Sequence, residues 1–277
     1  MSILDRIPIV RYEGNALVPT HDTIVPEAPL EYYLCVKNAE GDGFGEDKQV
    51  GTTLRSPGHD QELMVGYLVS EGVLNHRDQI IGFKESSELL CTKGRGKVSL
   101  RLQHMDVDWK RLDRHGLMTS ACGSCGKVDL QGQLGASQVD EEVQVPRGVL
   151  TGAAKVLDLN QPVFQRTGGL HAAALLSLNG QLEGVWEDVG RHNALDKLIG
   201  AQFLAGQVPI KRKMVLLSGR IGYELVQKCA MAGVEVILAL GAPTSLSVSI
   251  AKQSGITMVG FLKPNRFNIY AGEHRVR

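Results

Sequence analysis

Two cysteines, Cys122 and Cys125, stand in the run ACGSCGK among glycines. A free thiol with a pKa of about 8.5 is only about 3% thiolate at neutral pH, so a working cysteine needs cations or oriented N–H groups beside it. Gly123, Gly126 and Lys127 can supply them. The pair permits four readings. A structural zinc needs four ligands, and no second CxxC or HxxxH of matched spacing follows, so His171 or His192 would have to complete it through the fold. A thioredoxin-like dithiol belongs at the opening of a helix in an early βαβ unit, whereas this pair is mid-chain. Two inert turn cysteines would be an oxidation liability in a reducing cytosol. Nucleophilic sulfur chemistry is the fourth reading, with flexible glycines presenting the thiol to two sites in turn. Cys35 and Cys229 sit in apolar surroundings and read as small core residues.

Three further groups of residues suit an anionic ligand. Thr167-Gly168-Gly169-Leu170-His171 is a glycine turn expected to lead into a small-residue helix, whose free N–H groups would favour phosphate or carboxylate. The run from Glu187 to Lys197 packs acid, base, imidazole and amide into the start of a helix, with Gly190 beside Arg191 and His192. Lys263 and Arg266, three apart in GFLKPNRFNIY, are expected at the C-terminal end of a buried parallel strand, and Ser218-Gly219-Arg220 ends another such strand. That edge is the usual ligand crevice of an α/β sheet, and its cations suit phosphate or a guanine edge. Each group also has a plainer explanation in helix packing or in solvated charges at element ends.

The elements that must position these residues follow from periodicity. To about residue 110, extended apolar stretches (IPIVRY, TIVPE, LEYYLCV, KVSLRLQ) alternate with turns. One helix is expected near 61 to 73, capped by Asp60, with Leu63, Tyr67 and Leu68 as its apolar stripe. From about 147 onward helices alternate with continuously apolar runs at 214–219, 234–241 and 256–262, the pattern of strands buried on both faces. The organisation expected is a β-rich region over 1–110, a CxxC loop and linker over 111–146, and an α/β core over 147–277. The polar stretch 131–144 is its natural linker.

The whole-chain arithmetic excludes several classes. With 277 residues, 43% hydrophobic and 22% charged, the chain suits one large domain or a core plus a smaller lobe. Thirty basic residues balance thirty acidic ones, so no global field would drive binding to nucleic acid or an anionic membrane, and neither partner is expected. Aromatics at 5% leave little for base-stacking platforms. No apolar run has signal-peptide or membrane-span length, which points to the cytoplasm.

Together these segments resemble the formate dehydrogenase accessory sulfurtransferases, the FdhD family. The resemblance runs from PEAPL and SPGHDQELMVGYLVSEG through ACGSCGK, TGGLHAAAL and EDVGRHNALDK to LSGRIGYELVQKCAMAGVE and GFLKPNRFNIY. It implies an α/β fold: a cytidine deaminase-like core with a mixed, largely parallel sheet, an added β-rich N-terminal region, and a homodimer. It implies a sulfurtransferase that takes sulfur from a cysteine desulfurase as a persulfide on Cys122, with Cys125 assisting. The sulfur would pass to the molybdenum bis(guanine dinucleotide) cofactor, enabling formate dehydrogenase activity. By the same resemblance Phe261, Leu262, Lys263, Pro264, Asn265 and Arg266 would hold the cofactor, with His171, Arg191, His192, Ser218 and Arg220 orienting it. Asn265 stands where a glycine can occur in the family. A cofactor-binding chaperone without sulfur transfer is the alternative. No tightly bound metal of the protein's own is expected.

Overall fold

A computed structural model describes residues 4–84, 96–112, 117–118 and 142–277. In chain order the strands and helices are β1 (Asp5–Glu13), β2 (Ala16–Ile24), β3 (Ala28–Val36), β4 (Lys48–Arg55), α1 (Asp60–Ser70), β5 (Ile80–Lys84), β6 (Gly96–Leu102), α2 (Trp109–Leu112) and β7 (Leu117–Met118). There follow α3 (Arg147–Leu159), α4 (Phe164–Thr167), β8 (His171–Ser177), β9 (Leu182–Asp188), α5 (Arg191–Leu204), β10 (Lys213–Leu217), α6 (Tyr223–Met231), β11 (Val236–Ala239), α7 (Ser245–Gln253), β12 (Thr257–Lys263) and β13 (Arg266–Ala271). They form a two-stranded ribbon, β1-β2, a five-stranded sheet ordered β5-β6-β3-β4-β7, and a six-stranded sheet ordered β13-β12-β11-β10-β8-β9.

The fold is α/β, as the sequence pattern demands, and the six-stranded sheet is mixed. Its parallel part is smaller than expected. Only β10-β11 and β11-β12 pair in parallel, while β8-β9, β8-β10 and β12-β13 pair antiparallel. The strand-helix-strand rhythm from β10 to β12 is as read from the apolar runs. Hairpins at each flank supply the antiparallel pairings.

The small-residue run after His171 is a strand, not the helix its alanines suggest. Ala172, Ala173 and Ala174 are at most 2% exposed, inserted between β9 and β10, so ladder hydrogen bonds and burial on both faces override alanine's helix propensity. Alternate residues serve different cores: Ala172, Ala174 and Leu176 face α3, whereas Ala173 and Leu175 join the cluster containing α5, α6 and α7.

That second cluster continues across α1 into the five-stranded sheet, through Leu30, Tyr32 and Leu34 of β3 and Val98, Leu100 and Leu102 of β6. Helix α1 is therefore enclosed. Every residue from Leu63 to Ser70 is buried, in place of a single apolar stripe. It crosses α5 at two glycines, where a Cβ on Gly66 would collide with the Asp196 backbone and one on Gly200 with that of Glu62. Asp60 does not cap it. Its carboxylate binds the Arg55 guanidinium through two bonds of 2.9 and 2.8 Å, and His59 occupies the cap position in a left-handed conformation. None of the helices among the described residues is long and apolar enough to cross a membrane.

Candidate functional site

One end of the six-stranded sheet gathers the candidate ligand residues. Parallel β10, β11 and β12 finish there, β9 finishes beside them, and antiparallel β8 begins there with His171 opposite Asp188. Strand order, not sequence proximity, thus unites segments some fifty residues apart. Ser218 follows β10, and its N–H donates to the Ala172 carbonyl at 3.0 Å. Its Oγ accepts the Ala172 N–H at 2.9 Å and lies 3.4 Å from His171 Nδ1. The half-buried His171 imidazole is held below its ordinary pKa by burial first, and then by the charges of Arg191 and His192.

Helices α5 and α6 both start at this edge. Their N-cap residues, Gly190 and Gly222, make no side-chain cap hydrogen bond, and a helix start favours an anion. His192 of α5 pairs with Glu224 of α6, Nε2 to Oε2 at 2.8 Å, which ties the two first turns together. That hydrogen bond is the main cause holding the Glu224 carboxyl below its ordinary pKa. Arg191, Arg220, Lys263 and Arg266 make no ion pair or side-chain hydrogen bond among the described residues. Among the described residues, four cations at one sheet edge are thus left without an ion-pair partner.

The edge is also built for close approach. A Cβ on Gly241 would come within 2.7 Å of the Gly219 backbone, so the turns after β10 and β11 touch only because Gly241 has no side chain. The Gly241 carbonyl then accepts the Phe261 N–H at 3.1 Å, joining the third strand end to the row. Phe261 takes a left-handed φ of 51°, unusual for an aromatic residue, and its side chain is 40% exposed.

The stretch expected to bind cofactor is a hairpin and not a simple strand end. Lys263 and Arg266 are register partners flanking the turn Pro264-Asn265, and all four are exposed. Leu262 departs from the rest of the stretch: it is 2% exposed and packs in the core facing α3, so only its backbone is open to a ligand. Cys122, Cys125 and Lys127 lie outside the described residues, as do Cys91 and most of the 131–144 stretch. Before that segment, Met118 pairs in parallel with Thr53 of β4.

Sequence reasoning missed the network that holds α5 in place. Asp188, fully buried, accepts the Gly190 N–H at 2.9 Å, the Asn193 amide at 3.0 Å and the Ser56 N–H at 3.1 Å, and pairs with buried Lys197 at 2.7 Å. Ser56 in turn accepts the Val189 N–H at 3.1 Å, and its carbonyl receives Lys197 at 3.0 Å. SPGHD had signalled only a turn. Its partners lie more than 130 residues away in sequence, so no local pattern could show them. Among the described residues, no group of three or more His, Cys, Asp or Glu side chains is placed to hold a metal ion.

The chain is similar to known proteins. A Streptomyces avermitilis protein named sulfur carrier protein FdhD is 38% identical over 286 residues, covering 99% of this chain and 96% of its own. One of the same name from Sulfurisphaera tokodaii is 36% identical over 271 residues, with 98% of each covered. A crystal structure described as a formate dehydrogenase accessory protein from Desulfotalea psychrophila superposes with a TM-score of 0.76 over the whole of both chains, at 21% identity, and so shares the fold. The model of the FdhD/NarQ family matches residues 44–277, which hold the six-stranded sheet, the assembled edge and all of the five-stranded sheet except β3, and the chain belongs to that family.

Proposed function

We propose that this chain is a sulfur carrier in formate dehydrogenase maturation, and that the sheet edge docks the guanine dinucleotide of the molybdenum cofactor that receives the sulfur. The observation that carries the docking reading is the set of four cations, Arg191, Arg220, Lys263 and Arg266, that make no ion pair among the described residues, beside two helix starts without side-chain caps. A bis-dinucleotide brings several phosphate charges, and guanidinium groups and free N–H groups are their natural partners. Exposed Phe261 offers a flat apolar face to a base.

The sulfur step rests on Cys122. Its thiolate attacks the terminal sulfur of a cysteine desulfurase persulfide, the desulfurase thiolate leaves, and Cys122 then carries the persulfide with no external oxidant consumed. Cys125 would assist or relay. The same reading makes the α/β layer a deaminase-type core in which Ala173 stands where a general acid/base glutamate would be needed, so hydrolytic deamination is not expected.

Mass spectrometry after incubation with an active desulfurase and cysteine tests the carrier role. A sulfur adduct on the Cys122 peptide of the wild type, lost in Cys122→Ala, is the expected result. Its absence in the wild type would leave a cofactor-binding chaperone. Calorimetry with a guanine nucleotide tests the edge: Lys263→Ala with Arg266→Ala is expected to weaken binding at least tenfold, and unchanged affinity would remove the site.

A further inference from the structure

Ser218 and Gly219 form the turn that follows β10, and both bear on one side chain, His171. The Ser218 N–H donates to the Ala172 carbonyl at 3.0 Å and its Oγ accepts the Ala172 N–H at 2.9 Å, so the serine is clasped from both directions to the residue after the histidine. Its hydroxyl hydrogen still needs an acceptor. Among the described residues that partner is His171 Nδ1, at 3.4 Å. Gly219 supplies a second wall. A Cβ there would lie 3.3 Å from His171 Nδ1 and 3.4 Å from Cε1, with Arg191 Cδ next at 3.9 Å, so the Nδ1–Cε1 edge of the ring lies over the space that a side chain would need.

Hydrogen-bond accounting then decides where the ring carries its own proton. With Nδ1 protonated, the serine oxygen would accept twice and its hydrogen would be left without an acceptor among the described residues; with Nδ1 bare, one bond satisfies both groups. We propose that Ser218 and Gly219 act as a clamp that holds His171 in the tautomer with Nδ1 bare and the proton on Nε2, and that the Nε2–H donates to a phosphate oxygen of the docked nucleotide. Ser218 is thus a positioning residue, acting on the ligand through the imidazole. Nε2 has no hydrogen-bond partner among the described residues and the ring is half-buried, so this one polar atom is left for a ligand. The choice of phosphate follows from the neighbours. His171 lies in the fields of Arg191 and His192, the first two residues of α5, where an acceptor carrying negative charge gains most. The Asp188 charge opposes them but is taken up by Lys197. At 3.4 Å the serine–histidine contact is long, and such contacts tighten when a ligand draws the donor into line. The role of Nε2 rests on the docking reading above, whereas the clamp does not.

Long-range proton–nitrogen correlation spectra of the full chain, with isotope-labelled histidine at about pH 8 where the ring is neutral, read the tautomer directly, and His171→Gln identifies the signal. Expected in the wild type are a bare Nδ1 and a protonated Nε2. In Ser218→Ala both nitrogens should shift toward the average of the two tautomers, and Ser218→Thr, which keeps the hydroxyl, should restore the wild-type pattern. Gly219→Ala, whose Cβ presses on the ring, is expected to give the same averaging with the serine intact. Losing one aligned hydrogen bond is worth roughly fivefold in affinity, so calorimetry should show Ser218→Ala weakening GDP and inorganic pyrophosphate alike by roughly that factor, with Ser218→Thr close to the wild type. A wild type protonated on Nδ1, or a Ser218→Ala protein that keeps the wild-type tautomer, overturns the clamp whatever the nucleotide does. Affinity lost for GDP but not for pyrophosphate overturns the assignment to phosphate. A wild type that binds neither ligand removes the docking reading and with it the role of Nε2, while the tautomer still decides the clamp.

Discussion

At the scale of single residues, one buried acid, Asp188, decides how the site is presented. Asp188 takes three donors and one ammonium group, so removing its counter-charge strands a carboxylate in the core. Lys197→Met is expected to cost about 3–5 kcal/mol, measured by urea unfolding, because breaking a buried pair from one side leaves the other charge unpaid. Titration gives two further checks with definite signs. The His171 pKa is depressed on folding, so its contribution is present above the ordinary 6.5 and is lost as pH falls from there through the lowered folded value. Glu224 is also depressed, and its contribution is lost only below the ordinary 4.5, as pH falls through its folded value. Wild-type stability is therefore expected to fall in two separate windows, with His171→Gln flattening the upper one and Glu224→Gln the lower. Denaturant midpoints across both windows measure this.

At the scale of elements, the site depends on how α5 is seated. Its first turn presents Arg191 and His192, and its body crosses α1 at Gly66 and Gly200. Any side chain at either crossing must push the helices apart. Gly200→Ala is expected to destabilise by about 3 kcal/mol or more, at the upper end of what overpacking costs, because the obstacle is backbone and cannot rotate away. The same substitution should weaken guanine nucleotide binding without touching a ligand residue, since the first turn moves with its helix. Thermal unfolding and calorimetry on one variant read both effects. The hairpin β12-β13 depends on α5 far less, because its link to the edge runs through the Phe261 N–H and the Gly241 carbonyl.

At the scale of the whole molecule, one apolar cluster runs from the five-stranded sheet through α1 to the six-stranded sheet. Such continuity predicts a single cooperative transition. The two tryptophans give a direct check: Trp109 of α2 and Trp186 of β9 both pack against this cluster. Single-tryptophan variants Trp109→Phe and Trp186→Phe are expected to report coincident urea midpoints, and separated midpoints would mean that the two layers unfold apart. Local chemistry sufficed for part of this architecture. The apolar runs at β10, β11 and β12, the helices between them and the cations at the strand ends were legible, because burial on both faces and glycine stops are written in neighbouring residues. Alanine-rich β8 was misread for the reason that a strand between two neighbours gains ladder bonds and burial that no alanine propensity registers. The sequence by itself thus determined the α/β class and the placing of Arg220 and Lys263 at strand ends. Only the tertiary structure decided that His171 meets Ser218, that His192 meets Glu224, and that Ser56 and Asp188 lock α5 in place. Those contacts close loops of 32 to more than 130 residues, and their energies exist only once the strands have been ordered.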